Sequence, residues 1–449
     1  MAAGVGLRKV SIPSAVEIAE RLAAGALSAR EVADSCLERI GARDGEVRAF
    51  AHLDPAQVRA EADALDRHRK AGRPIGPLHG VPVAVKDIID TATYPTENGS
   101  PLDAGRRPRQ DATLVARLRA AGALVIGKTV TTEFAYYRPG PTRNPHNLAH
   151  TPGGSSQGSA AAVGDGMVPL AIGSQTAGSV IRPASFCGVV GYKPTYGMVS
   201  LAGVLSICEP LDTAGVFATT VEDAALVGTV LAGYDAADPR TRPVARADLL
   251  AAARSEPPAA PRLAIVRGPT WDAAEPDLVG LIDEIAEALG DEADAVDLPA
   301  PYDDAFALQQ RLMKVGFARH LTRYLERGAD AVSELMRAAI AEGAAVTAVD
   351  YLAARDMQTA LAVGLDRVFD RYDAILTPAA PGEAPAGIEA TGSPVFNALW
   401  TFVGTPAITL PLATGSTGLP IGLQLVGRPG EDGRLLRTAR WLQRRLAEA

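Results

Sequence analysis

Polar caps followed by apolar stripes recur through the first 75 residues with a helical rhythm. Ser14 with Glu17, and Ser28 with Glu31, each match the S-x-x-E capping box, in which two side chains satisfy orphan amides at a helix start. Asp54 followed by Pro55 opens a third helix running to about Arg69. The rhythm then changes. Residues 81–85 form a short unbroken apolar run, as a strand buried on both faces requires, 112–120 is helical, and 124–126 reads as another buried strand. Short apolar runs alternating with amphipathic helices predict an α/β fold, with a mixed, twisted central sheet covered by helices.

From 151 to 191 Gly, Ser and Ala dominate and charge almost vanishes. The stretch is too apolar for a flexible linker, so its glycines are expected to allow close backbone approach inside a core. Residues 239–261 read as loop with a short helix, and 262–372 as a strand and several long helices. We expect one domain over 1–449, with 240–370 a mainly helical subdomain or insertion within it. The Pro/Gly-rich segment 377–394 should be a long loop, and 403–446 should supply strands and a closing helix at 433–446.

Composition adds exclusions. With 47% hydrophobic and 21% charged residues, the chain is neither disordered nor collagen-like. Net charge is −8, from 52 acidic and 44 basic residues, which gives no support to nucleic-acid binding. No apolar run approaches the length of a membrane span, and no secretory pattern opens the chain, so a cytoplasmic protein is expected, without membrane attachment. Cys36, Cys187 and Cys208 are odd in number and widely spaced, forming neither a disulfide framework nor a CxxC pair.

Two motif matches fail on context. Gly122-Ala-Leu-Val-Ile-Gly-Lys128-Thr129 fits the phosphate-loop string, but its middle residues favour a strand interior and a helix precedes it. Gly154-Ser-Ser156-Gln-Gly158 fits the nucleophile elbow G-x-S-x-G, but no strand leads into it and only His320 lies downstream. His146 and His150 are four apart, yet Pro145 and Pro152 break any helix between them, so no metal site is expected. Lys86 is different: it ends the apolar run, where burial would lower its pKa.

Further segments set Lys86 in a pattern. These are Gly80-Val-Pro-Val-Ala-Val-Lys-Asp87, Thr151-Pro-Gly-Gly-Ser155-Ser-Gln-Gly158, Gly173-Ser-Gln-Thr-Ala-Gly-Ser179-Val-Ile-Arg-Pro183 and Gly418-Leu-Pro-Ile-Gly-Leu-Gln-Leu-Val-Gly427. In this order they closely resemble the amidase signature family. The resemblance implies that family's fold and a catalytic triad of Lys86, Ser155 and Ser179, with no cofactor. Ser179 would be the nucleophile, Ser155 a proton relay after a cis bond from Gly154, and neutral Lys86 the base. Thr176, Ala177, Gly178 and Ser179 would form the oxyanion hole.

Departures from the family pattern are Gln175 for the usual Asp, Ala177 for Gly, and Arg182 one place late. They point away from the family's transamidating members and toward stand-alone hydrolases. The resemblance implies an amidohydrolase of small or aryl carboxamides, with carbamates and ureas open, and a monomer or homodimer is expected. The alternatives are a catalytically idle binding protein and an amidotransferase subunit. Phe134, Tyr137 and Trp400, with Gly154, are the candidate substrate contacts.

Overall fold

The structure, a computed structural model, describes residues 12–245 and 247–448. The N-terminal stretch in which no secretory pattern was found lies mostly outside them. Eleven strands are present: β1 (Phe50–Leu53), β2 (Pro82–Lys86), β3 (Leu124–Thr129), β4 (Leu170–Gln175), β5 (Val190–Lys193), β6 (Thr213–Ala218), β7 (Leu263–Ile265), β8 (Ala293–Ala295), β9 (Ala374–Pro378), β10 (Ala407–Thr414) and β11 (Pro420–Val426). They form one sheet in the order β1-β3-β2-β4-β6-β5-β10-β11-β9-β7-β8. The sheet is mixed. β2 is parallel to both β3 and β4, and β7 to both β8 and β9, while the six other pairings are antiparallel.

β2, β3 and β4 are buried at every position, which for β2 and β3 is why the sequence holds the unbroken apolar runs 81–85 and 124–126 rather than an alternation. Both predicted capping serines work. Ser28 and Glu31 form a reciprocal box, Ser14 accepts from the Glu17 amide, and Asp54 caps the helix Pro55–Lys70. β1 is an element the sequence pattern did not disclose. It is a four-residue, half-exposed edge strand without an apolar run, held by antiparallel pairing to β3. The phosphate-loop string lies along β3, with Lys128 buried against Asp87 at 3.1 Å.

The segment 262–372 contains two strands rather than one, and both extend the edge of the same sheet beyond β9. Its long helix Ala305–Gly328 packs against Glu334–Ala345, Ala348–Gly364 and Val395–Phe402. Cys36, Cys187 and Cys208 are buried and free, and no described helix is long and apolar enough to cross a membrane.

Candidate active site

β2 and β4 run parallel with Val83 opposite Leu170 and Val85 opposite Ile172, so both strands end at the same edge of the sheet. Lys86 ends one and Ser174 and Gln175 end the other. This is the edge at which α/β sheets offer ligand sites. Beyond β4 a turn over 176–180 leads into the helix Ile181–Cys187, and the loop 152–156 enters the helix Gln157–Gly164 beside it.

Lys86 Nζ lies 2.7 Å from Ser155 Oγ, 3.0 Å from Ser156 Oγ and 3.0 Å from Ser174 Oγ. The Gly154–Ser155 peptide bond is cis, as the resemblance implied. Ser156 Oγ also donates to the Ser174 carbonyl at 3.2 Å. A side chain at Gly173 would put its Cβ 2.6 Å from Ser156 Oγ, so only glycine lets this hydroxyl sit under β4.

Lys86 is fully buried, and no described carboxylate contacts it. The next residue, Asp87, is taken by Lys128 and by the Glu97 amide. Burial therefore pushes the Lys86 amine well below the ordinary lysine value, with the more distant Asp212 charge opposing that shift. An uncharged amine among hydroxyls can accept a proton from one of them.

Exposure rises from Lys86 through Ser155, at 3%, to Ser179, at 9%. Ser179 lies in the turn, and long-range bonds hold the turn. Gln175 Oε1 accepts from the amides of Val180 (2.8 Å) and Ile181 (3.0 Å). Gln175 Nε2 donates to Thr401 Oγ1 at 2.9 Å, and that hydroxyl lies 2.6 Å from the Ala177 carbonyl. Thr176 donates to Asp212 at 2.6 Å, and the Thr176 carbonyl accepts from Gln309 at 2.8 Å. Gln175 thus supplies the acceptor that an Asp would supply, without burying a charge. At Gly178 a Cβ would fall 2.3 Å from Asn397 Oδ1, so the turn lies too close to the helix Val395–Phe402 for any side chain there. Gln175→Leu would unpair both amides, so we expect a loss of about 2–4 kcal/mol, read by denaturant unfolding.

The substrate contacts divide. Tyr137 is half-buried, stacked on Tyr136 and within electrostatic reach of Arg182. Phe134 and Trp400 are more deeply buried than Tyr137. Phe134 is fully buried with its ring 4.3 Å from that of Tyr324, and Trp400 is buried in its helix. Gly154 places its carbonyl 2.7 Å from Arg182 Nη2.

Several contributors escaped the sequence pattern. Ser156 lay inside the rejected elbow motif, and the structure brings its hydroxyl to Lys86 beside that of Ser155. Asp212, Gln309 and Thr401 had no local signal, since tertiary contacts alone bring them to the turn. His146 and His150 each face a backbone carbonyl. Among the described residues His52, Asp87 and Glu97 could share a cation, but the Lys128 ammonium already sits on that Asp87 carboxylate.

Known proteins share the sequence and the fold. A glutamyl-tRNA(Gln) amidotransferase subunit of Salinispora arenicola is 36% identical, covering 96% of each chain. The subunit of the same name from Chloroflexus aggregans is 35% identical over 94% of each. Peptide amidase from Stenotrophomonas maltophilia superposes with a TM-score of 0.85 at 32% identity, over 97% of both chains. A 6-aminohexanoate cyclic dimer hydrolase superposes with a TM-score of 0.86 at 27% identity, also over 97% of both. Likeness along the whole chain thus extends to transamidating relatives, against the expectation drawn from Gln175, Ala177 and Arg182. The family model described as Amidase matches residues 31–436, and with relatives at this identity along nearly the full length, the chain belongs to the amidase signature family.

Proposed function

We propose that the protein breaks the C–N bond of a carboxamide by forming an acyl-enzyme on Ser179. The observation that carries this reading is the buried Lys86 amine 2.7 Å from Ser155 Oγ, with no described carboxylate to hold it charged. Neutral Lys86 has two N–H groups and one lone pair. It can donate to Ser156 and Ser174 while accepting the Ser155 proton, as Ser155 takes the proton of Ser179. The Ser179 oxygen then bonds to the substrate carbonyl carbon. The amides of 177–179 support an oxyanion hole, because Gln175 engages those of 180 and 181 instead. Collapse of the adduct expels the amine with a proton returned along the same relay, and water releases the acid.

The charged amine cannot accept a proton, so acid is the inactive side. We expect kcat/KM to rise with pH through one ionisation and then level off, with the limb well below the ordinary lysine value because burial lowers it. A profile flat from acid to alkaline pH would remove Lys86 as the base.

The fate of the nitrogen admits two readings. The curated relatives favour a transamidating subunit that passes ammonia to a partner's substrate. The hydrolases among the structural neighbours favour release to water from an amide, with a carbamate as a chemically close substrate. Ammonia release from glutamine and from simple amides separates them. Full-rate turnover by the isolated chain supports hydrolysis, whereas turnover that needs a co-purifying stoichiometric protein supports transamidation. Intact-protein mass after mixing with a 4-nitrophenyl carbamate tests the shared step. An adduct on Ser179 supports it, and the absence of both adduct and nitrophenol release would leave an idle binding protein.

A further inference from the structure

The helix Ala305–Gly328 turns an apolar stripe to the core, with Ala305, Leu312, Met313 and Phe317 all buried. Gln309 stands in that stripe and is itself fully enclosed. A buried amide costs free energy unless both its ends are bonded, and a leucine at this position would avoid the cost. The partners of Gln309 are therefore informative. Its Nε2 donates to the Thr176 carbonyl at 2.8 Å, and its Oε1 accepts from Gln310 Nε2 at 2.8 Å. The Gln310 side chain in turn bonds the Tyr137 phenol.

The bond to Thr176 reaches the turn of Ser179 from behind. In a trans peptide the carbonyl and the N–H point in opposite directions, and the peptide bonds of this turn are trans. Whatever holds the Thr176 carbonyl therefore aims the Ala177 amide the other way. Thr401 Oγ1, 2.6 Å from the Ala177 carbonyl, does the same for the Gly178 amide. Neither amide has an acceptor among the described residues, whereas those of Val180 and Ile181 are engaged by Gln175.

Resting on the amide-cleaving reading above, we propose that Gln309 is a positioning residue for the oxyanion hole. It fixes the Thr176–Ala177 peptide so that the Ala177 N–H meets the developing oxyanion, and Gln310 braces it against Tyr137. Gln309 touches no reacting atom. Its effect is to have the donor already turned when charge develops, which is where fixed dipoles gain over water. The mainly helical segment beyond residue 240 thereby takes part in the chemistry, although Lys86, Ser155 and Ser179 all lie outside it.

The test follows nitrophenol release from 4-nitrophenyl acetate by the wild-type chain, Ser179→Ala, Gln309→Met and Gln310→Met. Gln309→Met keeps the length of the side chain and loses both bonds. Its kcat is expected to fall about ten- to a hundred-fold, less than the loss from deleting an oxyanion donor outright. KM should stay within about three-fold of the parent, a split that a merely structural glutamine would not produce. The acid limb of the pH profile should keep its position, because Lys86 is untouched. Gln310→Met leaves Gln309 in place and should show a smaller loss of the same kind.

Parental kcat in folded Gln309→Met overturns the inference, and so does a loss carried by KM alone. An unchanged kcat in Gln310→Met overturns the brace. If Gln309→Met does not fold, Gln309→Asn decides by the same criteria, since it keeps the amide but is a methylene short of the carbonyl. Release that is equally fast in wild type and Ser179→Ala, or absent from both, removes the acyl-enzyme reading and this inference with it. Ser179-dependent release that is indifferent to Gln309 removes the inference alone.

Discussion

Ser179→Ala is expected to lower kcat on any turned-over amide by about ten-thousand- to a million-fold, the range seen when a serine nucleophile is removed from a working triad. Far-UV circular dichroism and Tm should stay those of the parent. The change deletes one oxygen at the most exposed position of the three, and the bonds that hold the turn come from Gln175, Thr176 and Ala177 instead. Substrate affinity should survive, because the pocket keeps its shape. Retained turnover in a folded Ser179→Ala protein would refute the acyl-enzyme.

Replacing Lys86 should cost nearly as much activity, for a different reason. Lys86→Met keeps the volume of the buried chain and removes only the base, so we expect kcat to fall by about a thousand-fold or more. Its pH profile should lose the lysine limb. Lys86→Ala should show the same kinetic loss and unfold about 2–5 kcal/mol more easily than Lys86→Met, because it opens a cavity among packed strands. The pair of variants separates chemistry from packing. If Lys86→Met kept the parent rate, the amine beside Ser155 would be structural.

These losses bear on the departures from the family pattern. Gln175 replaces a usual Asp, yet both backbone amides of the turn are satisfied and the hydroxyl of Thr401 is gained. The substitution therefore preserves the geometry around Ser179 while removing a negative charge from its neighbourhood. Arg182, close by in sequence, has no carboxylate partner among the described residues.

Much of the architecture was legible in the chain because burial leaves a periodic mark. The apolar runs 81–85 and 124–126 mark β2 and β3 because those strands are buried at every position, and the caps at Ser28 and Asp54 are local chemistry between neighbours. β1 was not legible. It is short, half-exposed and defined by its partner, so its own residues hold no pattern. The depth of Phe134 and Trp400 was not legible either, because an aromatic near a functional loop looks the same in sequence whether it is half-exposed or enclosed.

For the site, the chain shows its ingredients locally: a lysine ending a buried strand and serines in a nearly uncharged, glycine-rich stretch. These signals are local, because each depends on what a residue's immediate neighbours permit. Their state was set by long-range packing. Parallel pairing of β2 with β4 brings Lys86 to Ser174, and full enclosure lowers the amine's affinity for a proton. Asp212, Gln309 and Thr401 converge on the turn from distant parts of the chain. Whether Arg182 was an ion-pair member or an unmatched cation depended on which side chains folding placed around it. Charge and proton affinity depend on everything packed around a group, and that surrounding exists only once the chain has folded.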